Sequence, residues 1–450
     1  MSSTTARLLA LGLVVAAVAV VAFVWLSREP APLPPDRAQI APGDTFDDAE
    51  AAVDYYRAVL RREPEAVEPR VRLAHALLQL GTERGTQGET IPEARELLAE
   101  AIEREPDHYY ARTLQASLLN VLHQFEAARD LSRDLLEDYP YHAYTHGTLI
   151  DALVELGEYD EAVEVSDRLQ GLKPGLPAYS RASYIRELYG DTPGAIDAMR
   201  LAADAGASGR PERAWALYQL GSLYLGDAKP DTAAFIYQGI LEERPGFAPA
   251  LAGLGHVALV RGDAAEAVRQ LEEARALQPL EMIDELLVEA YTATGDTRKA
   301  DAATERVHQA LLAAREMGEV VDMEEADFLA DQDRDLDRVL TMAREQQARR
   351  PGHLHANETY AWALMKTGDA EAAIPYIERA MRLGTGDAMV HYRAARIYEA
   401  AGQTAEAARH LQLALDGHLE VESPSTAAEA QTLLASLGTG ATVRATSAAR

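Results

Sequence analysis

The sequence predicts an all-α solenoid, built from one helix–turn–helix unit that repeats along most of the chain. Pro106, Pro140 and Pro174 lie 34 residues apart, a period typical of helical repeat arrays. Between the prolines, apolar residues recur at the spacing of a helix face, interrupted by turn formers once in each unit. An ordinary helical bundle would show such faces without a constant period, so we favour the solenoid.

The stretch 214–245 shows the unit most clearly. Its first helix carries Gly221 and its second Ala233, and we expect these small residues to face each other so that the two helices approach closely. Pro245 ends the unit, because proline cannot continue a helix and restricts the residue before it. The apolar positions are Leu217, Leu220 and Tyr224 on the first helix, and Ile236, Tyr237, Ile240 and Leu241 on the second.

The rest of the chain can be phased on this template. A half repeat, Ala52–Pro64, opens the array, and an insertion at Thr82–Thr90 delays the second helix of the next unit. The pattern weakens between His308 and Arg350, where we place one degenerate repeat, and it recovers afterwards. Ser423 suits an N-cap and Pro424 the first helical position, which predicts a capping helix to Leu437. In total we expect about ten repeats and a half.

The order of Leu-Gly, Tyr, Ala, Tyr and Pro in 214–245 resembles the tetratricopeptide repeat, and the resemblance covers roughly residues 45–437. It implies an α-solenoid that forms a right-handed superhelix, in which the first helix of each repeat lines an inner groove. It also implies a binding scaffold for a protein or peptide partner, with no cofactor. The lysine-rich clamp by which some members hold chaperone tails is not expected, since the chain has only four lysines.

The resemblance places a set of aromatic and polar residues in this groove. Trp215 stands five residues before Leu220 rather than the family's usual three, so we expect its ring to face the groove. Aromatic side chains suit a partly apolar peptide or a partner helix, although the same rings could simply cover neighbouring helices. The candidate groove residues are Tyr110, Tyr144, Tyr184, Trp215, Tyr218, His256, Trp362, Tyr392 and Arg396.

The N-terminal residues predict a membrane anchor and a spacer. Leu8–Leu26 is an uncharged apolar run long enough to span a bilayer core, and the lack of a clean cleavage site favours an uncleaved anchor over a signal peptide. We therefore expect a single-pass protein of the bacterial inner membrane with the solenoid on its outer side. The expected segments are 1–6 (tail), 7–28 (transmembrane anchor), 29–45 (proline-rich linker), 46–437 (solenoid with its capping helix) and 438–450 (disordered tail).

Composition excludes several classes of function. The net charge is −29, which argues against nucleic acid as a partner because phosphate binding requires a basic face. The chain has no cysteine, so disulfides, thiolate metal sites and thiol nucleophiles are excluded.

Two residue patterns invite a metal-site interpretation. Asp331, Asp333 and Asp335 begin like a calcium loop, but its glycine and glutamate positions are not filled. His142 and His146 have helical i, i+4 spacing but no third ligand nearby. We expect no metal at either place.

The sequence contains no phosphate loop, nucleophile elbow or zinc-protease motif, so we do not expect an enzyme. The glycine-rich Gly253–Ala258 falls inside a predicted helix, and the triplet Asn357-Glu358-Thr359 is short enough to arise by chance as a glycosylation motif. We expect a membrane-anchored interaction scaffold, in bacterial envelope assembly or maintenance, that binds a peptide or partner helix in its groove. The alternative is a sensor that binds a small molecule or glycan there.

Overall fold

A computed structural model describes residues 49–448 of the chain, and in this range it contains twenty-three α-helices and no strand. Helices α2 to α21 form ten consecutive antiparallel pairs, preceded by the single helix α1 and followed by α22 and α23. The helices are α1 (Ala49–Arg62), α2 (Val67–Arg84), α3 (Gln87–Arg104), α4 (Tyr109–Val121), α5 (Phe125–Asp138), α6 (Ala143–Leu156), α7 (Tyr159–Leu172), α8 (Leu176–Leu188), α9 (Thr192–Ala205), α10 (Pro211–Gly226), α11 (Pro230–Glu243), α12 (Ala248–Val260), α13 (Ala264–Leu277), α14 (Glu281–Thr294), α15 (Thr297–Glu316), α16 (Asp322–Asp331), α17 (Leu336–Arg349), α18 (Leu354–Lys366), α19 (Ala370–Ala380), α20 (Ala388–Ala400), α21 (Thr404–Asp416), α22 (Leu419–Glu422) and α23 (Pro424–Ala448).

The predicted all-α solenoid is confirmed, and each helix pair packs against the pairs before and after it. The periodic prolines act as predicted. Pro106, Pro140 and Pro174 each follow directly on the C-cap residue of a second helix, where a residue that cannot continue the helix stops it.

A left-handed residue lies in the turn inside each of the ten pairs. Three of these residues are not glycine, and in the 214–245 unit the position is Ala228 (φ 52°) rather than a glycine. A left-handed conformation strains any residue with a Cβ atom, so these three turns are less favourable than the others. The ten positions are Gly85, His123, Gly157, Gly190, Ala228, Gly262, Gly295, Asp333, Gly368 and Gly402.

The two irregular stretches of the sequence are helical in the structure. The insertion at 82–90 is absorbed by lengthening α2 and α3 to 18 residues each. The degenerate stretch 308–350 holds the end of the 20-residue α15, the short α16 and α17. The capping helix α23 begins at Pro424, and the Ser423 hydroxyl accepts a hydrogen bond from the Thr426 amide as an N-cap. This helix continues to Ala448, into the stretch for which we predicted disorder.

Within residues 49–448, no helix is long and apolar enough to cross a membrane. This finding contradicts the predicted localisation as a single-pass inner-membrane protein. The predicted anchor 7–28 and the linker 29–45 lie outside the described residues.

The superhelix brings the turns of early repeats against loops five to six repeats later. The Val320 amide donates to the Leu122 carbonyl at 3.1 Å, and the Leu354 amide donates to the Tyr159 hydroxyl at 3.1 Å, across 195 residues of chain. Successive turns of the coil are therefore in contact. We call this contact the seam, and it joins residues 122–124, 157–159 and 190 to residues 318–321, 350–354 and 384.

Small residues set the spacing between neighbouring repeats. Tyr237 of α11 is fully buried, and its ring lies between Gly221 of α10 and Gly253 of α12. A Cβ atom on Gly253 would stand 2.6 Å from that ring, and a Cβ atom on Gly255 would stand 2.7 Å from Leu271. A side chain at any of these glycines would therefore clash with a buried side chain of a neighbouring helix. Ala233, the expected neighbour of Gly221, is also fully buried.

Candidate functional site

The first helices of three consecutive pairs, α6, α8 and α10, line an open groove of about 580 Å³ on the inner surface. The groove combines apolar residues with a few polar groups, the composition usual for a binding site. We call this the open groove, and its lining includes Ile150, Asp151, Val154, Glu155, Ser180, Arg181, Tyr184, Glu187, Trp215, Gln219, Ser222 and Leu223.

Two of the predicted groove residues lie in the open groove. The side chains of Tyr184 and Trp215 are both 46% exposed. When a ligand covers a half-exposed aromatic ring, a large apolar area is removed from water, which favours binding. Tyr144 on α6 is similarly exposed but lies outside this cavity, where its hydroxyl donates to Ser117 at 3.2 Å. Tyr110 lies on α4, closer to the N-terminal end of the array, and is hydrogen-bonded to His75 at 2.8 Å.

The charged groups of the open groove are mostly carboxylates. Arg181 is held by Asp151 through two hydrogen bonds of 2.6 and 2.7 Å, so its charge is matched within the groove. Burial raises the pKa of Glu155, and burial together with the nearby Asp387 raises the pKa of Glu187. These carboxylates lack a basic partner strong enough to offset their loss of hydration. The groove therefore favours a positive group on its ligand.

The other five predicted residues line a second, larger space of about 1260 Å³, which we call the central cavity. It is lined mainly by first helices α10, α12, α14, α18 and α20 together with the C-terminal residues 421–429. Glu187 and Ser222 line both spaces, so the open groove and the central cavity are continuous. The five residues are Tyr218, His256, Trp362, Tyr392 and Arg396.

The aromatic residues of the central cavity are part of its wall rather than free rings. Tyr218 is only 9% exposed, and Trp362 and Tyr392 only 6%. The expectation that Tyr218 projects away from the buried stripe of α10 is therefore corrected. Its ring lies beside that of Trp215 at 5.3 Å but packs into the apolar cluster that joins α10 to α12. Arg396 donates to the Tyr392 hydroxyl at 2.9 Å and also pairs with Glu429.

A segment of the chain itself occupies one side of the central cavity. Val421 of α22 is buried and belongs to the same apolar cluster as Tyr218. The backbone carbonyl of Val421 lies 2.6 Å from Nε2 of His256. Ser423 donates to Glu289 of α14 at 2.8 Å. Residues 421–423 thus cover part of the predicted groove along α10, α12 and α14.

An ion network that the sequence did not predict stabilises the wall of the central cavity. Arg393 of α20 donates to Glu358 of α18 at 3.0 Å, and to Asp327 and Asp331 of α16 at 3.1 Å each. Burial opposes the ionisation of Glu358, but Arg393 and His355 lower its pKa to about 2. Burial likewise opposes protonation of His355, yet Glu358 and Asp327 raise its pKa to about 9. The network holds three repeats together through charge rather than apolar contact.

The structure gives structural roles to the histidine and aspartate pairs that resembled metal sites. His142 caps α6 by accepting from the Thr145 amide, and His146 contacts the Pro140 carbonyl. Asp331 accepts from the Trp362 indole at 2.7 Å, and Asp333 pairs with Lys366. Among the described residues, no group of three His, Asp or Glu side chains is arranged to hold a metal ion.

The glycosylation triplet is inaccessible in the folded chain. Asn357 is completely buried, and its amide donates to the carbonyls of Pro351 and His353 at 3.0 and 2.7 Å. A buried Asn of this kind supports the loop that begins α18.

The tetratricopeptide repeat family model matches residues 78–143 and 351–435 of the chain. No curated protein matches the sequence. Among the solved structures that the chain resembles is the human IFIT1 dimer with PPP-AAAA, at a TM-score of 0.44 and 15% identity, over 74% of this chain and 78% of that one. A similarity of that degree supports no inference about the ligand or partner of this chain.

Proposed function

We propose that this chain, whose residues 78–143 and 351–435 match the tetratricopeptide repeat family model, binds a peptide segment of a partner protein in the open groove. The observation that carries the proposal is the pair of half-exposed rings, Tyr184 and Trp215, on neighbouring first helices that line one cavity. Aromatic anchors beside polar groups are typical of peptide-binding surfaces. The expected role in the bacterial envelope depended on a membrane anchor and is not carried into this proposal.

The charge of the groove suggests the chemistry of the partner. The Arg181 guanidinium is already paired with Asp151, while burial raises the pKa values of Glu155 and Glu187. A lysine or arginine of the partner placed near these two carboxylates would offset that cost. We therefore propose a segment with one bulky apolar residue for the aromatic pair and one basic residue close by.

A peptide library displayed against the immobilised full chain tests this proposal. We expect enriched peptides to carry a bulky apolar residue near a lysine or arginine. The double variant Tyr184→Ala/Trp215→Ala should weaken their binding by roughly 30-fold, since interface aromatics commonly contribute about 2 kcal/mol or more. Phe235→Ala is the matched control, because Phe235 is 77% exposed but lies on the second helix α11 and lines none of the cavities described above. Enriched peptides that bind the double variant as tightly as the wild type would refute the proposal.

A small-molecule or glycan ligand remains the alternative, and one observation favours it. Trp215 and Tyr184 share the groove with Gln219, Ser180 and Arg181, which could hydrogen-bond to hydroxyl groups while a sugar ring stacks on the indole. Glycan-array binding that is lost in the double variant, without any enriched peptide, would support this second function.

A further inference from the structure

The C-terminal segment 419–423 lies in the inner surface of the superhelix in the manner of a bound peptide. Its two apolar residues face in different directions. Leu419 is fully buried in the cluster formed with α20, α21 and α23, whereas Val421 is buried in the cluster of α10 to α12. The segment therefore links the last repeat to the middle of the array.

Three successive residues of the segment are each held by a different first helix. The Val421 carbonyl lies 2.6 Å from the His256 ring of α12. The Glu422 carboxylate accepts from the Ala388 amide at the start of α20 at 3.2 Å. The Ser423 hydroxyl donates to Glu289 of α14 at 2.8 Å.

Each contact selects a particular chemistry. The apolar cluster takes a small branched side chain, the Ala388 amide takes a hydrogen-bond acceptor, and the Glu289 carboxylate takes a hydroxyl donor. From these contacts we propose that the inner surface of α10, α12, α14 and α20 is a second peptide subsite. It recognises an apolar–acceptor–hydroxyl triplet in an external partner, with Glu or Gln as the middle residue, and Val421-Glu422-Ser423 occupies it as a displaceable internal ligand.

The subsite lies directly beside the open groove. Val421 and Glu422 line a third cavity together with Tyr184 and Glu187, and these last two residues also face the open groove. Ser222 also lines both spaces, so a partner segment bound in the open groove would meet the internal ligand there. The inference rests on the proposed function to this extent, since both place a peptide on the inner surface of the superhelix.

A tethered ligand competes strongly because its effective concentration is in the millimolar range. The wild-type chain should therefore bind a free peptide of residues 417–427 weakly. Val421→Ser should loosen the internal ligand and tighten binding of that labelled peptide by about tenfold, since the competent state becomes more populated. Glu420→Ser is the matched control, because the Glu420 side chain is exposed and contacts only His418. It should leave the peptide affinity at the wild-type value.

Further variants locate the binding and separate the two proposals. In the Val421→Ser background, His256→Ala should reverse the gain in affinity, while Trp215→Ala should leave it unchanged. A peptide in which serine replaces valine at position 421 should bind about tenfold more weakly than the native peptide. If Val421→Ser lowers Tm without raising the peptide affinity, the segment is a structural cap only and the inference is wrong.

A cross-link tests the same inference by comparing one double variant in its locked and released states. Because the chain has no cysteine, Glu289→Cys and Ser425→Cys would introduce its only two thiols, at positions whose side chains are 3.2 Å apart in the wild type. A short cleavable bis-maleimide should lock the segment in place, abolish the residual binding of the 417–427 peptide, and restore it upon cleavage. Equal peptide binding by the locked and cleaved proteins would overturn the inference.

Discussion

Gly157, at the turn between α6 and α7, lies directly against Gly352, in the loop before α18. A Cβ atom on Gly352 would stand 2.7 Å from the Gly157 carbonyl oxygen, and one on Gly157 would fall on the backbone of Gly352 and His353. Neither residue has room for a side chain. The contact between successive turns of the coil therefore depends on two glycines nearly 200 residues apart.

Gly157→Ala should open this part of the seam. Gly157 and Gly262 have nearly the same left-handed conformation, φ 76° and 77°, but no atom lies near the Cβ position of Gly262. Both alanine variants should lose about 1 kcal/mol to backbone strain, and Gly157→Ala should lose about 1–3 kcal/mol more to overpacking. Urea unfolding compares the two variants, and hydrogen exchange should increase at 350–354 only in Gly157→Ala. Equal losses in the two variants would show that the seam contributes nothing to stability.

Two helical glycines should respond to alanine with opposite sign. Gly253→Ala would place a Cβ atom 2.6 Å from the buried Tyr237 ring, so we expect a loss of about 1–2 kcal/mol despite the better helix propensity. Gly239→Ala, on α11, meets open space and should gain about 0.5–1 kcal/mol. Thermal unfolding of both variants measures the difference. If Gly253→Ala is also stabilising, the assigned packing of Tyr237 is wrong.

Ala228→Gly should stabilise the turn between α10 and α11. Ala228 adopts φ 52°, where its Cβ atom is strained, so glycine should gain about 1 kcal/mol. Ala401 serves as the control because it occupies a comparable turn at φ −79°, where glycine brings no relief and should be neutral or destabilising. Chemical denaturation gives both values, and a gain of the same size at Ala401 would contradict the explanation.

Arg393→Met should be strongly destabilising. The substitution keeps an unbranched aliphatic side chain but removes the guanidinium, so that His355 is the remaining cation beside Glu358 and Asp327. Loss of one partner of a buried ion network typically costs about 3–5 kcal/mol. Arg269→Met is the control, since Arg269 is exposed on α13 and pairs only with exposed glutamates. Its effect should remain within about 0.5 kcal/mol. A small loss at Arg393 would mean that the network contributes little to the fold.

Glu422→Gln should stabilise the docked C-terminal segment in a pH-dependent manner. Burial, and then the carboxylate of Asp387, raise the pKa of Glu422 to about 8, with Glu358 acting in the same direction and the Ala388 and Met389 amides against it. A raised carboxyl pKa means that docking is favoured when Glu422 is protonated and weakens as pH rises toward 8. The stabilisation by Glu422→Gln, followed as a gain in Tm, should therefore be larger at pH 8.5 than at pH 5, by a free energy of about 1 kcal/mol after allowance for solvent screening.

Glu420→Gln provides the comparison for this pH series, because Glu420 lies on the exposed side of the same short helix. His355 and Arg393 also face Asp387 and lower its pKa in part, so the measured quantity is the difference between variant and wild type. A gain that is independent of pH would show that Glu422 is not the titrating group.

The parts of the fold that depend on neighbouring repeats were predictable from the sequence. The prolines at 106, 140 and 174 mark helix ends, and Gly221 marks a close helix contact, because each acts within one or two units of the array. The insertion at 82–90 was predicted in position but not in outcome, since extra turns of α2 and α3 preserve the same packing. Local periodicity carries this information because each repeat contacts mainly its neighbours.

The candidate site was predictable only in part. Tyr184 and Trp215 lie half exposed in the open groove, whereas Tyr218, Trp362 and Tyr392 are buried in the cavity wall. A helical position opposite the apolar stripe is exposed in a single helix pair. In the superhelix it can be covered by a segment from far along the chain, as the cluster containing both Tyr218 and Val421 illustrates.

The sequence by itself determined the repeating unit, its count and the residues that must be small, since these follow from a fixed period and from contacts between adjacent helices. Only the tertiary structure decided that Gly157 lies against Gly352 and that Val421 reaches His256. Those contacts depend on a small rotation at every repeat, summed over five or six of them, and a change of one residue in a turn alters the sum. No pattern within one repeat specifies that total, so the closed seam and the occupied inner surface emerge only when the whole coil is assembled.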